Sequence, residues 1–174
     1  LGADGMLRMR PAEELEMLRY NEQRRAGLTV KADADLLLEG ISGNSIELKL
    51  EIEPGKAKQV GVKVCCSPDG QEQTLIYYDA ADKKLKIDTH KSSLGEGPKK
   101  IEAGQFELGT DEPLKLQVFV DKSVVEVFAN DRQAVMRRIY PSRADSLGVK
   151  LFSKGAPATV RKLQAWDMMP SNAF

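Results

Sequence analysis

From Leu36 to Trp166 apolar residues recur at every second position. The clearest run is 45–52, where Ile46, Leu48, Leu50 and Ile52 alternate with Ser45, Glu47, Lys49 and Glu51. Successive side chains in a strand point to opposite faces, so this segment predicts one buried face and one wet face. Pro54-Gly55 predicts a turn, after which Val60, Val62, Val64 and Cys66 share one side of a second strand. Pro68-Asp69-Gly70 predicts a chain reversal, because Pro presets a negative φ and Gly accepts a positive one without a Cβ clash. The pattern resumes over 74–79, with Ile76 and Tyr78 opposite Leu75 and Tyr77. A turn at 79–83 leads to a short strand holding Leu85 and Ile87. Further strands are predicted over 114–120, 124–128, 134–140, 147–152 and 159–166.

Ahead of Leu36 this period is absent. Pro11 suits a first helical position, Glu13 and Glu14 favour the positive end of a helix dipole, and Leu15 and Leu18 lie three apart. A short helix or turn over 11–19 is expected, then a connection over 20–35. Residues 91–104, rich in Ser, Gly and Pro, predict a surface loop and the most flexible element. Nine or ten short strands without intervening helices predict an all-β fold, a two-sheet antiparallel β-sandwich of jelly-roll or concanavalin-like kind. It would span 36–174, with 1–35 as a linker and short helix continuing from a missing domain. A closed barrel is the alternative, but it would need evenly spaced strands without the 91–104 loop.

The 174 residues suffice for one domain with a real core, and 26 basic against 26 acidic residues leave no net field. Like-charge runs stop at pairs such as Lys83-Lys84, Lys99-Lys100 and Arg137-Arg138, so nucleic acid is not an expected partner. No apolar run approaches the roughly 20 residues that span a bilayer, so no membrane role is expected. The chain opens at Leu1 rather than Met, which points to a longer parent protein. Cys65 and Cys66 are adjacent within a strand pattern and read as free thiols.

Candidate chemistry is sparse. His90 is the sole histidine and has no second His or nearby Cys, so neither a metal nor another cofactor is expected. Glycoside hydrolysis needs two carboxylates facing across a cleft. Asp121 and Glu126 are the first pair to consider, but they flank a predicted hairpin turn, where the structural role is the expected one. There is no phosphate-cradling Gly-rich loop and no Gly-x-Ser-x-Gly elbow. Glycan binding through an exposed ring is the remaining option. Tyr77-Tyr78 must face opposite sides, which would leave one ring free, and Trp166 is the third candidate contact. Phe119, Phe128 and Phe152 lie in apolar strands and are expected in the core.

The run Leu116-Gln117-Val118-Phe119-Val120-Asp121-Lys122-Ser123-Val124-Val125-Glu126-Val127-Phe128-Ala129-Asn130 resembles the signature hairpin in the C-terminal domain of family 32 glycoside hydrolases, the invertases, levanases and inulinases. Asp121, Ser123, Glu126, Phe128 and Asn130 are its structural signature. Val135 to Tyr140-Pro141 resembles the next strand and its Tyr-Pro end, and Val160 to Trp166 the closing strand. Arg10-Pro11, Glu14-Leu15 and Leu18-Arg19 resemble the linker leaving the catalytic domain, and 74–79 a middle strand. The resemblance implies a parent β-fructosidase, secreted or periplasmic, acting on sucrose, levan or inulin with the catalytic residues in an N-terminal five-bladed β-propeller. The propeller motifs, Asn-Asp-Pro-Asn-Gly, Arg-Asp-Pro and Glu-Cys, do not occur here, so no catalytic residue carries over. What it implies for this chain is a non-catalytic structural module packed on the propeller. The alternatives are an autonomous module binding β-fructan or other glycans, and a homodimerisation module.

Overall fold

The computed structural model describes residues 2, 5 and 7–171. Among them a 3-10 helix, Glu13–Leu18, is followed by β1 (Arg19–Val30), β2 (Ala34–Ser42), β3 (Ser45–Glu53), β4 (Gln59–Cys66), β5 (Thr74–Asp79) and β6 (Lys84–Asp88). The remaining strands are β7 (Ile101–Gln105), β8 (Leu114–Asp121), β9 (Val124–Ala129), β10 (Gln133–Arg138), β11 (Gly148–Lys154) and β12 (Ala158–Met168). They form two six-stranded sheets, ordered β1-β12-β3-β8-β9-β10 and β2-β11-β4-β5-β6-β7. Neighbours in both sheets run antiparallel, the expected sandwich.

The alternating pattern places the core where the sequence predicts it. Ile46, Leu48, Leu50 and Ile52 of β3 join Leu116 and Val118 of β8, Val60, Val62 and Val64 of β4, and Ile76 and Tyr78 of β5 in one buried cluster. Each large aliphatic side chain taken wholly out of water contributes about 1.5–3 kcal/mol before the cost of ordering it. The turns follow their residues. Gly55 and Gly70 both take positive φ, and Gly70 N donates to Ser67 O at 3.0 Å. Asp79 Oδ1 accepts from the amides of Ala81 and Asp82, closing the turn ahead of β6.

Five expectations are corrected. Residues 20–35, expected as a connection, contain β1, a long edge strand hydrogen-bonded to β12, so the first sheet begins well before Leu36. Its residues are mostly exposed on both faces, so pairing is carried by the backbone and leaves no period-two trace. β7 likewise lies in the expected 91–104 loop and extends it to an edge strand with a single large apolar residue, Ile101. The polar face of β3 is not wet, since Glu47 is wholly buried. Cys65, at φ +51°, forms a bulge in which Val64 and Cys65 both reach the core cluster, and Cys66 turns to the other face. Burial pushes the two thiols up to about 12 and about 11 respectively. Phe152 is buried as expected, but Phe119 and Phe128 lie outside the core and pack edge-on at 6.3 Å on the outer face of the first sheet, half-buried.

At one end of the sandwich Glu72 gathers two loops. Its carboxylate accepts from Leu94 N at 2.9 Å, Ser142 N at 2.7 Å, Arg143 N at 3.2 Å and Ser146 Oγ at 2.5 Å. Burial alone would raise the carboxyl, but the Ser146 hydroxyl and the three amides outweigh it and hold it below its ordinary value of 4.5. A carboxyl depressed in the folded state contributes stability that is present above the unfolded value and lost as pH falls through the folded one. Denaturant melts of the chain should therefore weaken progressively below about pH 4.5. Glu72→Gln should be less stable at pH 7 and show a shallower acid limb.

Gly61 is fixed by a closer constraint. It is the register partner of both Tyr77 and Phe152, and a Cβ there would sit 2.0 Å from the Ile76 carbonyl oxygen. Gly61→Ala is expected to cost about 3 kcal/mol, read as a shifted urea midpoint, because backbone rather than a flexible side chain must move.

Candidate functional site

The predicted signature residues fall on the β8–β9–β10 meander of the first sheet. Asp121 pairs with Val124 across a two-residue turn, and Lys122 there takes φ +51°. The amide of Lys122 donates to Asn44 O at 2.6 Å, and the carbonyl of Ser123 accepts from Ile139 N at 2.8 Å. Ser123 thus acts through its backbone, locking the turn to the segment that follows β10. Asp121 is exposed, and Glu126 stands half-buried between its cross-strand partners Phe119 and Met136. These two acids lie on one hairpin at the outer face of the sheet.

Asn130 has the most specific role. Asn130 and Asp131 hold φ +46° and +57°, the doubly left-handed turn that twists correctly between antiparallel strands, and both residue types tolerate it. Asn130 Oδ1 accepts from Lys115 N at 2.7 Å, and its Nδ2 donates to Glu112 Oε1 at 2.8 Å and Pro113 O at 2.9 Å. Glu112 also accepts from Arg132 Nη2 and from Gly109 N. Burial pushes the Glu112 carboxyl up, but the Gly109 amide, Asn130 and Arg132 together hold it below its ordinary value. One amide side chain therefore ties the approach to β8 to the end of β9.

Beside this meander the outer face of the sheet holds a buried ion pair. Arg19, where the 3-10 helix passes into β1, donates from Nε and Nη2 to the two oxygens of Glu47 at 2.7 and 2.8 Å. Gln117 Nε2 adds a third bond to Glu47 at 2.7 Å. The guanidinium lies 4.5 Å above the Trp166 ring centroid and also reaches Glu16 at 2.7 Å. Hydrogen bonding to Glu47 raises the Arg19 pKa above its ordinary value, although burial opposes it. The preceding segment runs as a strap over the same face. Lys49 reaches Glu16 at 3.4 Å, Met9 N donates to Asp131 O at 2.9 Å, and Arg10 Nε donates to Asp131 Oδ2 at 2.8 Å.

The other candidates are dispersed. Tyr77 and Tyr78 do face opposite ways but are 5% and 7% exposed, so neither ring is free as expected. Tyr77 packs on Phe152 and Tyr78 on Phe106. Trp166 is 9% exposed beneath Arg19. His90 lies at the surface with Nδ1 2.7 Å from Asp88 Oδ1. Among the described residues no three His, Cys, Asp or Glu side chains come together as metal ligands would. Among the acids bordering two hollows of the surface, Glu112 is bonded as above, Asp131 accepts from Arg10, and Glu51 and Glu53 pair with Arg161.

Sequence reasoning missed Glu47, Glu72 and Glu112. Glu47 occupies a polar position of β3 identical in pattern to Lys49 and Glu51, and its burial is set by residues 28 and 70 positions away. Arg19 was visible only as the last residue of the Leu18-Arg19 pair in the linker resemblance.

The family model described as "Glycosyl hydrolases family 32 C terminal" matches residues 14–167. Sucrose-6-phosphate hydrolase of Staphylococcus xylosus is 33% identical over 165 residues, 94% of this chain and 32% of that protein. Levanase of Bacillus subtilis is 32% identical over 161 residues, 88% of this chain and 23% of that protein. Among solved structures, fructan 1-exohydrolase of Cichorium intybus shares the fold at a TM-score of 0.82 and 16% identity, over 93% of this chain and 38% of that one. The chain spans about a third of the length of the sucrose-6-phosphate hydrolases that it matches.

The buried pair makes a testable asymmetry. Arg19→Ala should cost about 3–5 kcal/mol in chemical denaturation, because it leaves the Glu47 carboxylate buried without its cation. Adding Glu47→Leu should recover part of that loss, since the second change removes the stranded charge.

Proposed function

Because the chain belongs to the family 32 glycosyl hydrolase C-terminal domains, we propose that it serves a β-fructosidase-type enzyme as the non-catalytic companion of a larger catalytic domain in the same polypeptide. The match across 14–167 carries this reading, together with the share of its relatives that the chain occupies. The companion is the five-bladed propeller that the resemblance implies, and the parent substrate is a β-fructofuranoside such as sucrose, levan or inulin.

The disposition of acids supports the non-catalytic half of the reading. Cleaving a glycosidic bond takes one carboxyl that keeps a proton and one carboxylate free to attack or to activate water. Glu72 and Glu112 are instead saturated by amides, hydroxyls and guanidinium groups and held below their ordinary values, the environment of a structural anion. Neither can act as a proton donor near neutral pH.

The test compares the complete natural gene product with chain 1–174 on sucrose, levan and inulin. Fructose should appear with the complete product and stay at background with the chain alone. Fructose release by 1–174 itself, abolished by no removable contaminant, would refute the assignment.

A further inference from the structure

Along one side of the sandwich β10 of the first sheet meets β7 of the second, and a hollow of about 270 Å³ opens at the end of that seam. Its walls include Arg137 and Arg138 at the end of β10, Tyr140 just beyond, and Ser93, Glu96 and Lys99 from the connection between β6 and β7. We propose that this hollow binds a phosphorylated monosaccharide, with the cations holding the phosphoryl group and the Tyr140 ring lying against the sugar. The site belongs to this chain alone and does not depend on the parent's activity.

Arg137 carries the argument for an anion. Its Nη1 donates to Glu102 Oε1 at 3.0 Å, whereas Nε is buried with no hydrogen-bond partner among the described residues. A guanidinium grips an oxyanion best with two parallel bonds from one edge, and here the Nε–Nη2 edge is left unbonded. A donor withdrawn from water without an acceptor is costly, and a ligand oxygen supplies the acceptor that the fold does not.

Charge selects a phosphoryl group. Glu102 is shared between Arg137 and Lys100, while Lys99 and Arg138 enter no ion pair among the described residues. At the hollow and its rim the four cations Lys99, Lys100, Arg137 and Arg138 stand against two acids, Glu96 and Glu102, so two positive charges are left over. A phosphoryl group carries close to two negative charges near pH 7, twice what a carboxylate offers.

The sugar half follows from Tyr140 and from size. Tyr140 is 59% exposed, and its ring offers a flat apolar surface to the C–H face of a sugar. A hollow of about 270 Å³ is small for a ligand site, which suits one sugar ring and its phosphoryl group rather than a stretch of polysaccharide. The walls are set in advance. Thr89 N and Oγ1 both donate to Lys100 O, Leu94 N is held by Glu72, and Ser93 Oγ meets Ser142 Oγ at 2.9 Å. Little ordering therefore accompanies binding.

Fructose 6-phosphate, inorganic phosphate and fructose are the probes, used in calorimetry of chain 1–174 at low salt and in hydrogen exchange of the complete gene product. Fructose 6-phosphate should bind 1–174 with a Kd below about 1 mM. It should slow the amides of 89–95 and 137–140 in the complete product about 5-fold. Inorganic phosphate and fructose should each bind about 10-fold more weakly, since each makes only half of the contacts. Arg137→Lys keeps a cation for Glu102 but removes the Nε edge, and should weaken binding about 10-fold while moving the melting temperature by less than about 2 °C. If that variant fails to fold, Arg138→Gln and Tyr140→Ala, both at exposed positions, carry the test with a loss of about 5-fold each, and Lys154→Gln, exposed elsewhere, should change nothing. Absence of binding up to about 10 mM, binding indifferent to these variants, or inorganic phosphate or fructose binding as tightly as the sugar phosphate would overturn the site. None of these readings uses fructose release, so the parent assignment stands or falls separately.

Discussion

A carboxylate cannot be withdrawn from water without a partner, and Glu47 is withdrawn completely. It stands on the outer side of a central strand, where Gln117 of β8 and the segment that enters β1 both reach it. Arg19 meets that need with a bidentate grip, and Trp166 of the last strand gives the guanidinium a surface to lie on. The first strand, the last strand and a central strand are thereby held by one cation. The position of the strap follows, since the residues before Arg19 have no freedom to leave in another direction. An apolar pair could hold the sheet as strongly, but it would not define the path of the incoming segment so narrowly.

Two further anions repeat the device at the ends of the sheets. Glu72 collects amides from two loops, and Glu112 with Asn130 clasps the approach to β8 against the β9–β10 turn. In each case a side chain satisfies backbone donors that the sheet ladders cannot reach, so irregular segments pay no penalty for unpaired amides. The sandwich thus has an apolar interior that supplies cohesion and three polar nodes that define where the connections run.

The inner faces were legible from sequence because a half-buried strand must alternate, and β8 and β9 do so without interruption, as does β3 apart from Glu47. β1 and β7 were not, because an edge strand held by backbone pairing on one side demands nothing of its side chains. The Cys65 bulge was invisible for a related reason: one extra residue flips the faces without altering composition. The signature hairpin was readable by resemblance, and Asn130 by its turn chemistry as well. The burial of Glu47 was not readable, since the residues that enclose it come from the strap, β8 and β12. Long-range enclosure leaves no local mark.

The pairing of the opening and closing strands has a mechanical meaning. Arg19 lies opposite Met168, so the start of the first strand and the end of the last are neighbours at one end of the ladder. Tension between them loads the hydrogen bonds one rung at a time, as in opening a zipper, rather than all together in shear. The ion pair at Arg19 sits on the first rungs of that zipper, where a local lock has the greatest leverage against peeling.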